Sequence, residues 1–378
     1  MVAALSLVTG CTSSGTGAGA KFTPVPDFQG NVDPNPQLPD PGIPQPSLPN
    51  SAAPSPGPSG SQGSTATDPS VVATKLDEPT GLVVLPDGTA LVGERKSGKI
   101  FRVQPTPGKP VTLVQTLAGV DGAGDGGLLD LAISPSYAED GLVYAYLSTA
   151  TDNRVVHFAL GSAPSVVIGA IPHGASGNGG RIAFDATGAL LTGTGDAGQP
   201  SLASSASSLA GKILRTDDIG KAAPGNPVAG SRVYARGLHG AAGVDGLCVD
   251  AKTGTRVAIS GNDVLLLKAG TDYTSAKPAA VLPAAASGGG GCALAGGQLL
   301  VATSTGKSLA VAPVGTNATI GTFTPALVGT YGRLRTIVAG TDGALWLTTR
   351  NRDGKGKPIA TDDRVLRITN LDTANRTV

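Results

Sequence analysis

Residue types able to do acid–base or metal chemistry are scarce in this chain. It has three histidines, His157, His173 and His239, and three cysteines, Cys11, Cys248 and Cys292. They show no zinc spacing, since a zinc site needs three or four N and S donors at characteristic intervals. No serine stands in a G-x-S-x-G elbow, which removes the commonest hydrolase arrangement. Three short stretches imitate ligand loops. "GAGDGG" at 122–127 satisfies G-x-G-x-x-G, but no strand–helix–strand unit surrounds it, so a dinucleotide site is rejected. "DGAGDG" from Asp121 copies the first half of a calcium loop, yet position twelve is Ala132 where a glutamate is needed. "AGK" at 210–212 has no following Ser or Thr to complete a phosphate loop. The stretch left to explain is "SGNGGRIAFDATGALLTGTGD", residues 176–196, in which glycines and Arg181 surround a strand, a turn and a second strand.

The elements that would position these residues are β-strands. The chain has 378 residues, 40% hydrophobic and 15% charged, with net charge +1 and no basic run interleaved with aromatics, so no nucleic-acid partner is expected. With 56 glycines, 29 prolines and no long Leu/Glu/Lys runs, the prior is an all-β, turn-rich protein. From about Val71 onward a polar turn ending in glycine and then an alternating apolar strand recurs: "LPDGTALVGER", "AEDGLVYAYLS", "DATGALLTGTGD", "AKTGTRVAISG", "AGGQLLVATST" and "GTDGALWLTTR". The turn glycines Gly88, Gly141, Gly188, Gly254, Gly297 and Gly343 follow one another at 43 to 66 residues. Six strand-built repeats of this length predict a six-bladed β-propeller over 71–378; a β-sandwich would not need six evenly spaced copies. Asp87, Asp342 and their equivalents then serve turn chemistry and not a metal.

The apolar "MVAALSLVTG" ends at Cys11, and "LVTGC" resembles the bacterial lipobox, in which the cysteine carries a diacylglycerol and the preceding segment is removed. Residues 1–11 are therefore expected to be a lipoprotein signal segment with Cys11 lipidated, which would place the protein outside the cytoplasm, anchored to the outer face of the cell membrane. The segment is short and lacks Lys or Arg, which suggests a true start farther upstream; the alternative is a chance apolar terminus with a buried cysteine. Thirteen prolines lie between Pro24 and Pro69, and such a tract cannot bury enough apolar surface to fold. Residues 12–70 are expected to be a disordered, semi-rigid stalk. In an oxidising compartment Cys248 and Cys292 could pair; two buried thiols are the alternative.

Several segments together resemble the soluble pyrroloquinoline-quinone (PQQ)-dependent sugar dehydrogenases, the glucose/sorbosone dehydrogenase family of six-bladed propellers. They are "LDEPTGLVVLPDGTALVGERKSGKIFRV" at 76–103, "GGLLDLAISPSYAEDGLVYAY" at 126–146, "GNGGRIAFDATGALLTGTGDAG" at 177–198, "SLAGKILR" at 208–215, "PGNPVAGSRVYARGL" at 224–238 and "GRLRTIVAGTDGALWLTTRNRDGKGKP" at 332–358. With the lipobox and stalk, the chain is similar to actinobacterial envelope lipoproteins of this family, of the mycobacterial LppZ type.

The resemblance implies a histidine general base at the start of an H-x-G-G-R motif, a position held here by Gly177; His173 and His239 are the candidate substitutes. Loss of a general base typically costs 10²- to 10⁴-fold in rate. The family's G-x-R-N-P-Q-G motif reads "GLHGAAG", so His239 and Gly240 replace an arginine and an asparagine, and an imidazole lacks arginine's bidentate fork. In the segment that helps hold calcium in the family, Asp263 is the single carboxylate, too few for a cation that takes six to eight oxygens. What the resemblance preserves is Arg333 and Arg335, which match a pair directed at the cofactor's carboxylates, and Asp125, at the place of a cofactor-contacting Gln or Glu. Thr305 fills the place of a basic ligand, with Lys307 two positions on. Two arginines favour an anionic ligand; salt bridging to nearby aspartates is the competing role. The expected function is thus a lipid-anchored binding or scaffold propeller with a degenerate catalytic centre, taking a small anionic or sugar ligand or an envelope protein partner. The alternatives are an active PQQ- and calcium-dependent aldose or sorbosone oxidoreductase with rearranged ligands, and a propeller lactonase, which would need the calcium site that is missing.

Overall fold

The computed structural model describes residues 68–240 and 243–371. The expected signal segment, the expected lipidation of Cys11 and the expected stalk up to residue 67 lie outside the described residues. Among the described residues, twenty-four strands form six four-stranded antiparallel sheets, and two short helices complete the regular structure with two 3-10 turns. Each sheet is one blade. The innermost strands are Pro79–Val84, Leu128–Ile133, Gly179–Phe184, Gly246–Val249, Gly289–Ala295 and Leu334–Ala339. Blade 6 takes its fourth strand, Val71–Ala73, from the start of the domain, where it pairs with Val365–Ile368. This closes the ring and joins the first blade to the last.

The repeat that marked the blades has a backbone cause. All six turn glycines have φ between +63° and +80°, the left-handed region a tight hairpin requires. The turn aspartates bond their own loops: Asp87 Oδ1 accepts from the amide and hydroxyl of Thr89, and Asp342 Oδ1 from the amide of Ala344. In three blades an arginine on the third strand locks this turn, as Arg102–Asp87, Arg215–Asp185 and Arg367–Asp342. Asp185 also binds Arg256 of blade 4, at 2.9 Å. Burial alone pushes the Asp185 carboxyl up, but bonds from Thr187, Arg215 and Arg256 outweigh it and hold the group far below the carboxylate range. A depressed carboxylate stabilises the fold above its unfolded value and loses that contribution as pH falls through the folded one. Acid unfolding monitored by circular dichroism is therefore expected to start near pH 4, and Asp185→Asn to flatten the slope below it.

Between each pair of blades lies one apolar cluster of Leu, Val, Ile and Ala, six in all among the described residues. Around the axis a second set of links joins the inner strands. Thr80 Oγ1 donates to Leu128 O, Ile182 N to Asp130 Oδ2, Arg181 Nε to Asp245 O, and Thr336 Oγ1 to Thr80 O. These tie blades 1–2, 2–3, 3–4 and 6–1. At the blade 4–5 junction Cys248 and Cys292 are disulfide-bonded, with Cα atoms 5.7 Å apart. At 5–6 the backbones meet directly: a Cβ on Gly290 would lie 2.5 Å from Arg335 O. Because the disulfide closes a 44-residue loop, replacing both cysteines by alanine is expected to cost about 2–4 kcal/mol in urea unfolding.

First and third strands run one way and second and fourth the other. The loops leading into each first strand and the turns joining second to third strands therefore share one rim, the upper; the Asp-Gly turns mark the lower. The strand Val71–Ala73 starts from the lower rim, so the chain enters the propeller on that side.

Candidate functional site

The loops at 74–78, 95–98, 117–127, 172–178, 195–211, 237–240, 243–245 and 350–364 lie at the upper rim. The "GAGDGG" loop shows how it is built. Arg95 Nη1 donates to the carbonyls of Gly122, Gly124 and Gly126, and Arg95 Nε to Glu78 at 2.8 Å. A loop that turns its carbonyls toward a guanidinium has the opposite polarity to a phosphate cradle, which presents N–H groups. The "AGK" lysine is likewise structural: Lys212 Nζ, fully buried, donates to the carbonyls of Leu202, Ala203 and Ala210 and holds the 194–211 excursion in place. Burial brings its amine down to about 8.

The "GNGGR" loop is clamped from both sides. Asp125 Oδ2 accepts from Gly177 N at 2.7 Å and its Oδ1 from Asn178 Nδ2. Asn178, 1% exposed, also donates to Gly174 O and accepts from Asn153 Nδ2 and Gly174 N. The Asp125 carboxylate is thus occupied with holding this loop. Burial pushes it up, against the bonds from Asn178 and Gly177 and the nearby charge of Arg335. On the other side Ala197 N donates to Gly177 O. Gly177 has φ +70°, and a Cβ built on it would stand 2.6 Å from Asp196 Oδ1 and 2.8 Å from Gly198 N. The position that the resemblance assigns to a base is a backbone position here, with no room for a side chain.

The histidines are dispersed. His157 packs edge-on against Tyr144 at 5.4 Å on the third strand of blade 2, away from the rim. His173 is half-buried with Nε2 lacking a partner. His239 is exposed and lines, with Ser176, Asp196, Gly198, Pro200 and Gly240, a cavity of about 270 Å³ beside the Gly177 loop.

The cations converge. Arg333 and Arg335 flank the start of the last inner strand, each 8% exposed, and Arg350 lies beside them. Arg333 is committed: Nε and Nη2 donate to Asp353 Oδ2 at 3.1 and 2.8 Å and Nη1 to Ser304 O. Asp353 also takes Arg350 at 3.2 Å. Arg335 is not committed to the same degree. Its Nη1 stands 3.5 Å from Asp245 Oδ1, and its Nε has no acceptor. Burial, with the charge of Arg181, brings Arg335 down to about 10; burial and the charge of Arg335 do the same to Arg350, which also feels Arg333 and Arg95. Arg335 and Arg350 both remain charged at neutral pH. Lys307 and Thr305 sit exposed in the turn next to Ser304. Asp263 is exposed on its strand, and among the described residues no group of three or more His, Cys, Asp or Glu is placed to hold a metal.

Sequence reading missed Arg95, Arg350, Asp130 and Asp245. Of these, Asp130 occupies a repeated place: like Arg181 and Thr336, it follows a register shift near the start of an inner strand.

Comparison with known proteins accords with this architecture. The family model described as Glucose / Sorbosone dehydrogenase matches residues 76–263. The PQQ-bound aldose sugar dehydrogenase of Streptomyces coelicolor is 37% identical over 79% of this chain and 95% of its own, with a TM-score of 0.73. A glucose dehydrogenase-type oxidoreductase of Thermus thermophilus is 32% identical, covering 79% and 98%, with a TM-score of 0.71. Aldose sugar dehydrogenase YliI of Escherichia coli (strain K12) is 29% identical over 173 residues, 42% of this chain and 46% of that protein, so the match spans less than half of that relative. Inner strands, rim loops and these likenesses lead to one statement: the chain belongs to the glucose/sorbosone dehydrogenase family.

Proposed function

We propose that this protein is an envelope lipoprotein, exported and anchored through Cys11, whose upper mouth binds a small polyanion without oxidising a sugar. The observation that carries this reading is Gly177. A left-handed backbone wedged against Asp196 and Gly198 offers no general base where the family's chemistry needs one, while the arginines around it keep the capacity for anions. The chain would then act as a binding or scaffold module.

PQQ, which the Streptomyces relative binds, is the natural test ligand. The residues fit it in part. Arg335, with an unused Nε and a loosely held partner, suits a carboxylate. Among the described residues no group of three or more His, Cys, Asp or Glu is placed to hold a metal, and no catalytic step is routed through the quinone.

One observation favours a second reading, an active PQQ-dependent oxidoreductase. His239, Asp196 and Ser176 share a cavity next to Gly177, and an imidazole there would be a relocated base.

Titration of the purified protein with PQQ and Ca²⁺, by calorimetry and by dye reduction with a panel of aldoses, separates the two. Binding without turnover is the expected result. Turnover that His239→Ala or His173→Ala abolishes would establish the enzyme instead.

A further inference from the structure

The lower half of the axial channel is a cavity of about 420 Å³ on the side opposite the arginine mouth. Its wall is made by the ends of the inner strands, with Val83, Ile133, Phe184, Val249, Leu294 and Val338 among the lining residues. The Cys248–Cys292 disulfide forms part of the same wall. Its inner end is closed by Asp130, Arg181 and Thr336.

Arg181 is 2% exposed. Its Nε donates to Asp245 O and its Nη1 faces Thr336 Oγ1 and Asp130 Oδ1 at 3.4 and 3.5 Å, but Nη2 has no acceptor. The other oxygen of Asp130 is taken by Ile182 N. A buried guanidinium with unused hydrogens is costly, and an acceptor brought to it regains that energy. The lining is mixed, with apolar side chains at the strand ends and three polar side chains, Asp130, Arg181 and Thr336, at the inner end; small-molecule sites likewise combine apolar surface with a few placed polar groups.

We propose that this funnel binds a monocarboxylate with a short, unbranched apolar tail, its head on Arg181 and its tail against the strand ends. The ligand enters from the lower rim and touches none of the upper-mouth arginines. Burial pushes the Asp130 carboxyl up, against the charges of Arg181 and Arg335 and the bond from Ile182 N.

The probes are octanoate and 1-octanol, which share the tail and differ in the head, titrated into the full-length protein by calorimetry. Octanoate is expected to bind at least tenfold more tightly than octanol, and to slow reduction of the Cys248–Cys292 bond by dithiothreitol. Arg181→Met is expected to abolish that preference. Because Arg181 also ties two blades together, Ala339→Trp, which narrows the exposed opening, supplies a variant that keeps the ring; it is expected to weaken octanoate at least tenfold. Arg350→Ala, at the opposite mouth, is expected to leave octanoate binding unchanged. Equal binding of octanoate and octanol, no binding of octanoate at millimolar concentration, or octanoate binding untouched by Ala339→Trp would each overturn the proposal.

Discussion

Gly177→Ala and Gly177→His are both expected to destabilise the protein, the histidine by about 2–5 kcal/mol, and the histidine is not expected to create sugar oxidation. Two costs add. A non-glycine residue held at φ +70° loses roughly 1–2 kcal/mol. A Cβ at 2.6–2.8 Å from Asp196 Oδ1 and Gly198 N forces the 194–198 turn outward, at roughly 1–3 kcal/mol more. That turn cannot yield freely. Ala197 N is bonded to Gly177 O, and a Cβ on Gly195 would already stand 1.8 Å from the same oxygen. The loop carrying Asp196 is held at its far end by the three carbonyl bonds of Lys212. Urea unfolding of the two variants measures the stability loss, and dye reduction with PQQ, Ca²⁺ and aldoses measures any activity. A Gly177→His protein as stable as the parent that turns over glucose would mean that the loop has merely lost its base. In that case the site would be a recoverable enzyme and not a rebuilt binding mouth.

Gly177 also marks the border of what was legible in the sequence. The propeller was legible, because its hairpins need glycine at a left-handed position and the apolar alternation fixes which strands are buried. Gly177 could be read as a missing histidine, but not as a position where histidine no longer fits. That depends on Asp196 and Gly198, which reach it from the second-to-third strand turn of the same blade. Asp125 reads as a cofactor contact by its place in the motif, whereas in the fold its carboxylate is spent on Gly177 N and Asn178. The ring of Thr80, Asp130, Arg181 and Thr336 was hidden for a related reason. Each residue meets its partner on the next blade, 48 to 256 residues away in the chain, and no local pattern records such a pairing.

Arg333 and Arg335 are two residues apart and look equivalent in sequence, yet their replacement by methionine is expected to destabilise the fold in both cases and to weaken anion binding mainly at Arg335. The Arg333 fork is satisfied within the fold by Asp353 and Ser304. Arg333→Met should therefore destabilise the protein by leaving Asp353 with Arg350 and the amide of Lys355, while changing anion affinity by less than about threefold, because few of its donors were free for a ligand. Arg335 has an orphaned Nε and a loose 3.5 Å contact to Asp245. Removing it leaves the Asp245 carboxylate, 7% exposed, with one bond from Gly261 N. Loss of one partner from a buried pair costs about 3–5 kcal/mol, and relief of the repulsion between Arg335 and Arg181 brings the figure toward the lower end. Its effect on a bound polyanion is larger than that of Arg333. Charge-assisted bonds contribute about 1.5–3 kcal/mol, so PQQ binding by calorimetry should weaken roughly 10- to 100-fold. Equal losses of affinity in the two variants would mean that Arg333 leaves Asp353 when ligand arrives. The mouth would then be a switch between an internal and an external carboxylate, and not a preformed site centred on Arg335.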